Sequence, residues 1–167
     1  MTPPVTPKSA AILVALAATA TILGALVFEH GFGLKPCPLC LTQRIPYYAG
    51  IPVAVLAALL AGATPRLSRL LLTLFVLAML IGAGIAVYHS GVEWKWWAGP
   101  SDCSGGADFL NQSGSVLDSL NETTVIRCDE AAWRFLGLSL AGWNVLISLA
   151  LAALAARGAY GSSSTSQ

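Results

Sequence analysis

AAILVALAATATILGALVF, residues 10–28, carries no charged side chain. At roughly 1.5 Å per helical residue it reaches about 28 Å, close to a hydrocarbon core of roughly 30 Å. Three more apolar runs of similar length follow at 45–63, 70–88 and 138–156. The expected fold is therefore an all-α membrane protein, a four-helix transmembrane bundle forming a single membrane domain over residues 1–167. Composition points the same way, because 56% hydrophobic and 10% charged residues in 167 would overfill the core of a soluble domain. Pro46 and Pro52 fall inside the second run, where neighbouring helices can satisfy the carbonyls they free, and a kink is expected there. Gly82 and Gly84 in the third run either let another helix approach closely or are ordinary membrane composition.

Charge sets the orientation. Lys8, the connection with Arg66 and Arg69, and the tail with Arg157 lie in segments without a single acidic residue. The positive-inside rule places all three in the cytoplasm, both termini included, with a flexible tail at 158–167. All eight acidic residues fall in the two remaining segments, the loops at 29–44 and 89–137. So do all four cysteines, Cys37, Cys40, Cys103 and Cys128. These loops are extracytoplasmic, in the compartment where disulfides persist. A net charge of +1 without a basic stripe argues against nucleic acid as a partner, and no glycine-rich phosphate loop is present.

The cysteines are arranged as a vicinal pair in Lys35-Pro36-Cys37-Pro38-Leu39-Cys40 and a distant pair, Cys103 and Cys128. A vicinal pair suits redox chemistry, and a distant pair can receive or pass its electrons. Four cysteines allow three connectivities, and spacing alone does not choose among them. Two other uses stay open: a tetrathiolate zinc site, for which no supporting ligand spacing follows the second pair, and purely structural disulfides. Arg44 lies four residues after Cys40, on the same face if a helix begins there, where its guanidinium can stabilise a Cys40 thiolate; it could equally snorkel to the interface. Exposed amides at that helix start would act in the same direction.

The loop carrying Cys37 and Cys40 is short and stays near the headgroups, within reach of a lipid-soluble acceptor. Two-electron oxidation of a dithiol needs such a sink, and a membrane quinone meets both requirements. His30 and His89 end the first and third runs on this side, where either could donate to a quinone oxygen or simply finish a helix. Every tryptophan lies on this face, as expected of an aromatic belt. Residues 131–138, crowded around Trp133 and Phe135, suggest a short amphipathic helix resting on the bilayer. The polar stretch between Cys103 and Cys128 is expected to be mobile.

These residues resemble the bacterial disulfide bond formation protein B (DsbB) family. Lys35-Pro-Cys37-Pro-Leu-Cys40 with Gln43-Arg44 is similar to its first active loop, Tyr88-His89 to the end of its third helix, and Cys128-Asp-Glu-Ala-Ala-Trp133-Arg-Phe-Leu-Gly137 to its second active loop. The resemblance implies an inner-membrane protein thiol:quinone oxidoreductase with periplasmic redox loops. It would reoxidise a periplasmic thioredoxin-fold (DsbA-like) dithiol oxidase and pass the electrons to ubiquinone or menaquinone, supporting disulfide formation in exported proteins. It implies four catalytic cysteines, with Cys103 attacked by the partner and Cys128 leaving, and Cys37/Cys40 regenerating the downstream disulfide. Cys40 would face the quinone, Arg44 would hold its headgroup, His89 would support, and no metal is implied. A reductase of the vitamin K epoxide reductase kind would carry its vicinal pair late in the chain; here it is early.

Overall fold

The computed structural model describes residues 6–100 and 127–161. Four long helices dominate: α1 (Pro7–Leu26), α2 (Pro38–Leu60), α3 (Pro65–Glu93) and α4 (Leu140–Tyr160). Three start with proline at the first helical position, where a missing N–H costs nothing and the fixed φ suits the helix. Side chains cap α1, α2 and α4: Thr6 accepts from the Ser9 amide, Cys37 from Cys40, and Ser139 from Gly142. α1 runs on into one π turn, Val27–Gly31. The helix of the second span thus begins at Pro38 and ends at Leu60, starting and stopping before the apolar run at 45–63, because Cys37 and Pro38 form a start signal ahead of it.

All four helices are long and apolar enough to cross a membrane. Each packs on its chain neighbours, and α4 closes against α1. The core is built on alanine, with Ala11, Ala18, Ala54, Ala57 and Ala155 fully buried around Tyr47, Phe75 and Met79. Small side chains allow helices to approach closely, which is how bundles pack when lipid removes the hydrophobic drive between them. Outward positions stay apolar; Leu16 is 65% and Leu59 74% exposed, a surface made for lipid tails rather than water.

Two glycines show what close approach requires. A Cβ on Gly158 would sit 2.2 Å from that of Ala10, so α1 and α4 cross where only glycine fits. Gly82 faces Pro46 with a Cβ position 3.4 Å from the proline ring, whereas Gly84 meets nothing within 4 Å. Only the first of these two therefore acts as a packing glycine. α2 runs unbroken through Pro46 and Pro52.

Contacts between Ala10 and Gly158, Ser68 and Ala57, and Gln43 and His89 fix an up-and-down order. Lys8, Arg66, Arg69 and Arg157 gather at one end, and Cys37, Cys40, His89 and Cys128 at the other. α3 ends in a Schellman motif: Lys95 takes φ 61°, its amide donates to Val92 O, and the Trp96 amide donates to Gly91 O. This turn folds Trp97 back over Gly91, its indole N–H donating to Tyr88 O at 2.8 Å.

The amphipathic helix expected at 131–138 is absent. A two-residue hairpin stands there instead, β1 (Arg134–Phe135) paired with β2 (Leu138–Ser139). Its loop, Leu136 at φ 51° and Gly137 at φ 83°, has both central residues at positive φ, the tight reversal that matches strand twist. β2 leads straight into the cap of α4.

Candidate active site

Cys37 owes its position to the start of α2. As the N-cap residue it has extended backbone, φ −77° and ψ 165°, and its Sγ accepts the Cys40 amide at 3.2 Å. One helical turn sets the two thiols side by side, with Sγ atoms 2.6 Å apart, and both are free cysteines. Little movement closes them into a disulfide of roughly 2.05 Å. Cys37 is buried and Cys40 partly open. The Cys40 thiol's hydrogen bond, followed by that of His89, holds the Cys37 thiol down to about 5 against burial, which would raise it. The helix amide thus serves Cys37, where the sequence had suggested Cys40.

α3 brings two groups to this pair. His89, buried, points Nε2 at Cys37 Sγ, 3.6 Å away, and Glu93 Oε1 lies 3.8 Å from the same nitrogen one turn on. Among the described residues, Glu93 Oε2 is buried without a hydrogen-bond partner. Cys128 arrives from the segment before the hairpin; it is fully buried and disulfide-bonded. The Cys37, His89 and Cys128 ligand-type atoms lie within 4.8 Å of one another. A disulfide sulfur, a free thiol and an imidazole are thus set side by side. Cys103 lies outside the described residues.

Behind His89 runs a buried polar chain. Gln43 Nε2 meets His89 Nδ1 at 2.6 Å, Asn144 Nδ2 donates to Gln43 Oε1 at 2.6 Å, and Tyr47 OH donates to Asn144 Oδ1 at 2.7 Å, with Ser148 alongside. Neither cysteine spacing nor charge marks Tyr47 or Asn144 in the sequence. A polar side chain within an apolar span was the available signal, since such residues are costly in lipid and kept for a purpose.

Arg44 is committed to an ion pair, Nη1 donating to Glu29 Oε2 at 2.6 Å. Both line a cavity of about 450 Å³ that also touches Cys40, Gln43, His89 and Asn144. Its opposite wall is aromatic: Phe28 and Trp133 rings lie 5.1 Å apart, Trp133 stacks on Phe135 at 5.7 Å, and Phe135 contacts Trp143 at 6.0 Å. Two of the five tryptophans thus line a cleft, while Trp94, Trp96 and Trp97 lie exposed at the end of α3. His30 is exposed and does not line it. A flat ring bearing two carbonyls fits such a space, with aromatic faces for the ring and polar groups at one edge for its oxygens.

A family model described as disulfide bond formation protein DsbB matches residues 7–157. Disulfide bond formation protein B of Verminephrobacter eiseniae is 34% identical, over 93% of this chain and 90% of the relative. The protein of the same name from Polaromonas sp. is 35% identical over 87% and 86%, and that from Aromatoleum aromaticum 32% over 83% and 83%. No solved structure gives a significant match.

Proposed function

Since this chain belongs to the DsbB family of disulfide bond formation proteins, we propose that its two cysteine pairs form a relay from a soluble dithiol protein to a membrane quinone. It is a multi-pass membrane thiol oxidoreductase, and members of its family are in general quinone-linked. The single observation that carries the relay is the gathering of Cys37, His89 and Cys128 within 4.8 Å, beside a cavity that Cys40 lines.

In this reading a thiolate of a periplasmic DsbA-like oxidase attacks Cys103, and Cys128 leaves as the thiolate. The partner's second thiol then displaces Cys103, so the partner leaves oxidised and the distant pair holds two electrons as thiols. Cys128 next attacks an oxidised Cys37–Cys40 bond at Cys37, and Cys40 leaves. Closure of the Cys103–Cys128 bond expels Cys37, and the two electrons now rest on the vicinal pair. Free Cys37 and Cys40 beside a disulfide-bonded Cys128 support this order. A bound quinone supplies a two-electron, two-proton acceptor. Arg44 and the amides of Gln43 and Asn144 would hold its oxygens, and Phe28 and Trp133 its ring. The basic end with Lys8, Arg66, Arg69 and Arg157 favours the cytoplasm, which sets the cysteine end towards the periplasm.

Purified chain mixed with a reduced periplasmic dithiol protein and excess quinone should consume thiols catalytically. Cys37→Ser should lower this to about one equivalent, drawn from a preformed distal disulfide. Sustained turnover of that variant would overturn the relay.

A further inference from the structure

The order of donors behind His89 is set at the histidine, because the hydroxyls at the far end can donate or accept and adapt to either order. In the structure Tyr47 OH and, at 3.4 Å, Ser148 Oγ both donate to Asn144 Oδ1, and the Asn144 amide nitrogen faces Gln43. Gln43 Oε1 accepts from it, leaving the Gln43 amide nitrogen to face His89 Nδ1. An amide NH2 only donates, so Nδ1 must offer its lone pair. A neutral imidazole has one proton, and it must sit on Nε2. The reverse order would set the Nε2 lone pair against Cys37 Sγ and Glu93 Oε1, both acceptors. Gln43, Tyr47 and Ser148 are buried, where a broken link is costly, and Asn144 is half-buried at the cavity wall.

We propose that Gln43 and Asn144 are positioning residues that lock His89 in the Nε2–H tautomer, aiming its only proton at Cys37. It rests on the relay reading, in which Cys37 must alternate between disulfide and thiolate. The lock lets a neutral ring stabilise the thiolate while giving up no proton to it, since a donor already occupies Nδ1. Among the described residues, the titratable groups facing His89 are Cys37 and, on α3, Glu93, which itself feels Arg134; Cys128 nearby is tied in a disulfide, and α2 and α4 present the uncharged Gln43 and Asn144.

The test uses full-length reduced chain in detergent micelles, labelled with ¹⁵N-histidine, of which there are two. Two-bond proton–nitrogen correlation reads the tautomer directly, and His89→Asn assigns the signals. Wild type should show Nε2–H. In Asn144→Asp the carboxylate can only accept, so Gln43 must turn its NH2 towards it and present Oε1 to His89, forcing Nδ1–H. Alkylation of Cys37, followed by mass spectrometry at about pH 4, below the thiol's value of about 5, should slow about tenfold, the worth of one hydrogen bond to a charged group. Gln43→Met, similar in volume, should give a mixed tautomer. An Nδ1–H signal in wild type, or Nε2–H retained in either folded variant, would overturn the proposal. Absence of quinone-dependent turnover in wild type would instead sink the relay reading and leave the tautomer result standing.

Discussion

The Arg44–Glu29 pair offers the sharpest test of how the cavity is held. The charged atoms are 2.6 Å apart, with side chains 12% and 22% exposed. At an effective dielectric of about 20 their attraction is roughly 6 kcal/mol. Most of that is offset by taking two ions largely out of water. For a pair neither fully buried nor on the surface, a net coupling of about 2 kcal/mol remains. Arg44→Met, Glu29→Gln and the double variant form a cycle, read by denaturant unfolding in mixed micelles. The singles should each destabilise, Arg44→Met more, because it leaves a carboxylate facing an apolar cleft. The double should recover about 2 kcal/mol relative to their sum. A coupling below about 0.5 kcal/mol would show that the ion pair does not brace α1 against α2. Quinone kinetics give a second reading of the same variants. Arg44→Met should raise KM, whereas Glu29→Gln frees the guanidinium for a quinone oxygen and should leave KM unchanged or lower. An equal rise in both would refute Arg44 as the group that holds the headgroup.

Three further outcomes are expected. Cys128→Ala leaves Cys103 a lone thiol that can attack the disulfide of an oxidised partner, with no Cys128 to displace the partner again, so cells expressing it should accumulate a mixed disulfide between Cys103 and a small thioredoxin-fold protein on non-reducing gels; a stably inserted variant without that adduct would count against Cys103 as the entry point. Alkylation of Cys37 in the reduced chain should follow its thiolate, rising as pH increases through about 5 and falling away below it, while a midpoint in the ordinary thiol range would refute the stabilisation by Cys40 and His89. Gly158→Ala places a Cβ 2.2 Å from Ala10, so α1 must shift off α4 at a cost of about 1–3 kcal/mol, measurable as a lower unfolding midpoint in micelles.

Hydropathy, charge and cysteine spacing are local properties, and they determined a great deal. Nineteen uncharged residues must span a bilayer, basic connections must gather at one end, and Cys37 and Cys40 in adjacent helical turns must be able to touch. None of this depends on how the helices rotate against one another. Helix register decided the rest. Gln43 meets a histidine 46 positions away and an asparagine 101 positions away, and no periodicity along one helix reports which residue of another will face it. For the same reason Arg44, legible as a charge near Cys40, could not be seen to belong to Glu29 across the α1–α2 cleft. The segment at 131–138 has the composition of an interfacial helix. Yet it folds as a hairpin because Leu136 takes a positive φ, a strain that local propensity disfavours and that pairing of Phe135 with Leu138 and packing of Phe135 on Trp133 and Trp143 offset. That the cysteines form a vicinal and a distant pair was written in their spacing; that Cys128 lies against Cys37 and His89 was decided only when four helices closed around them, because only the assembled bundle excludes water from that contact.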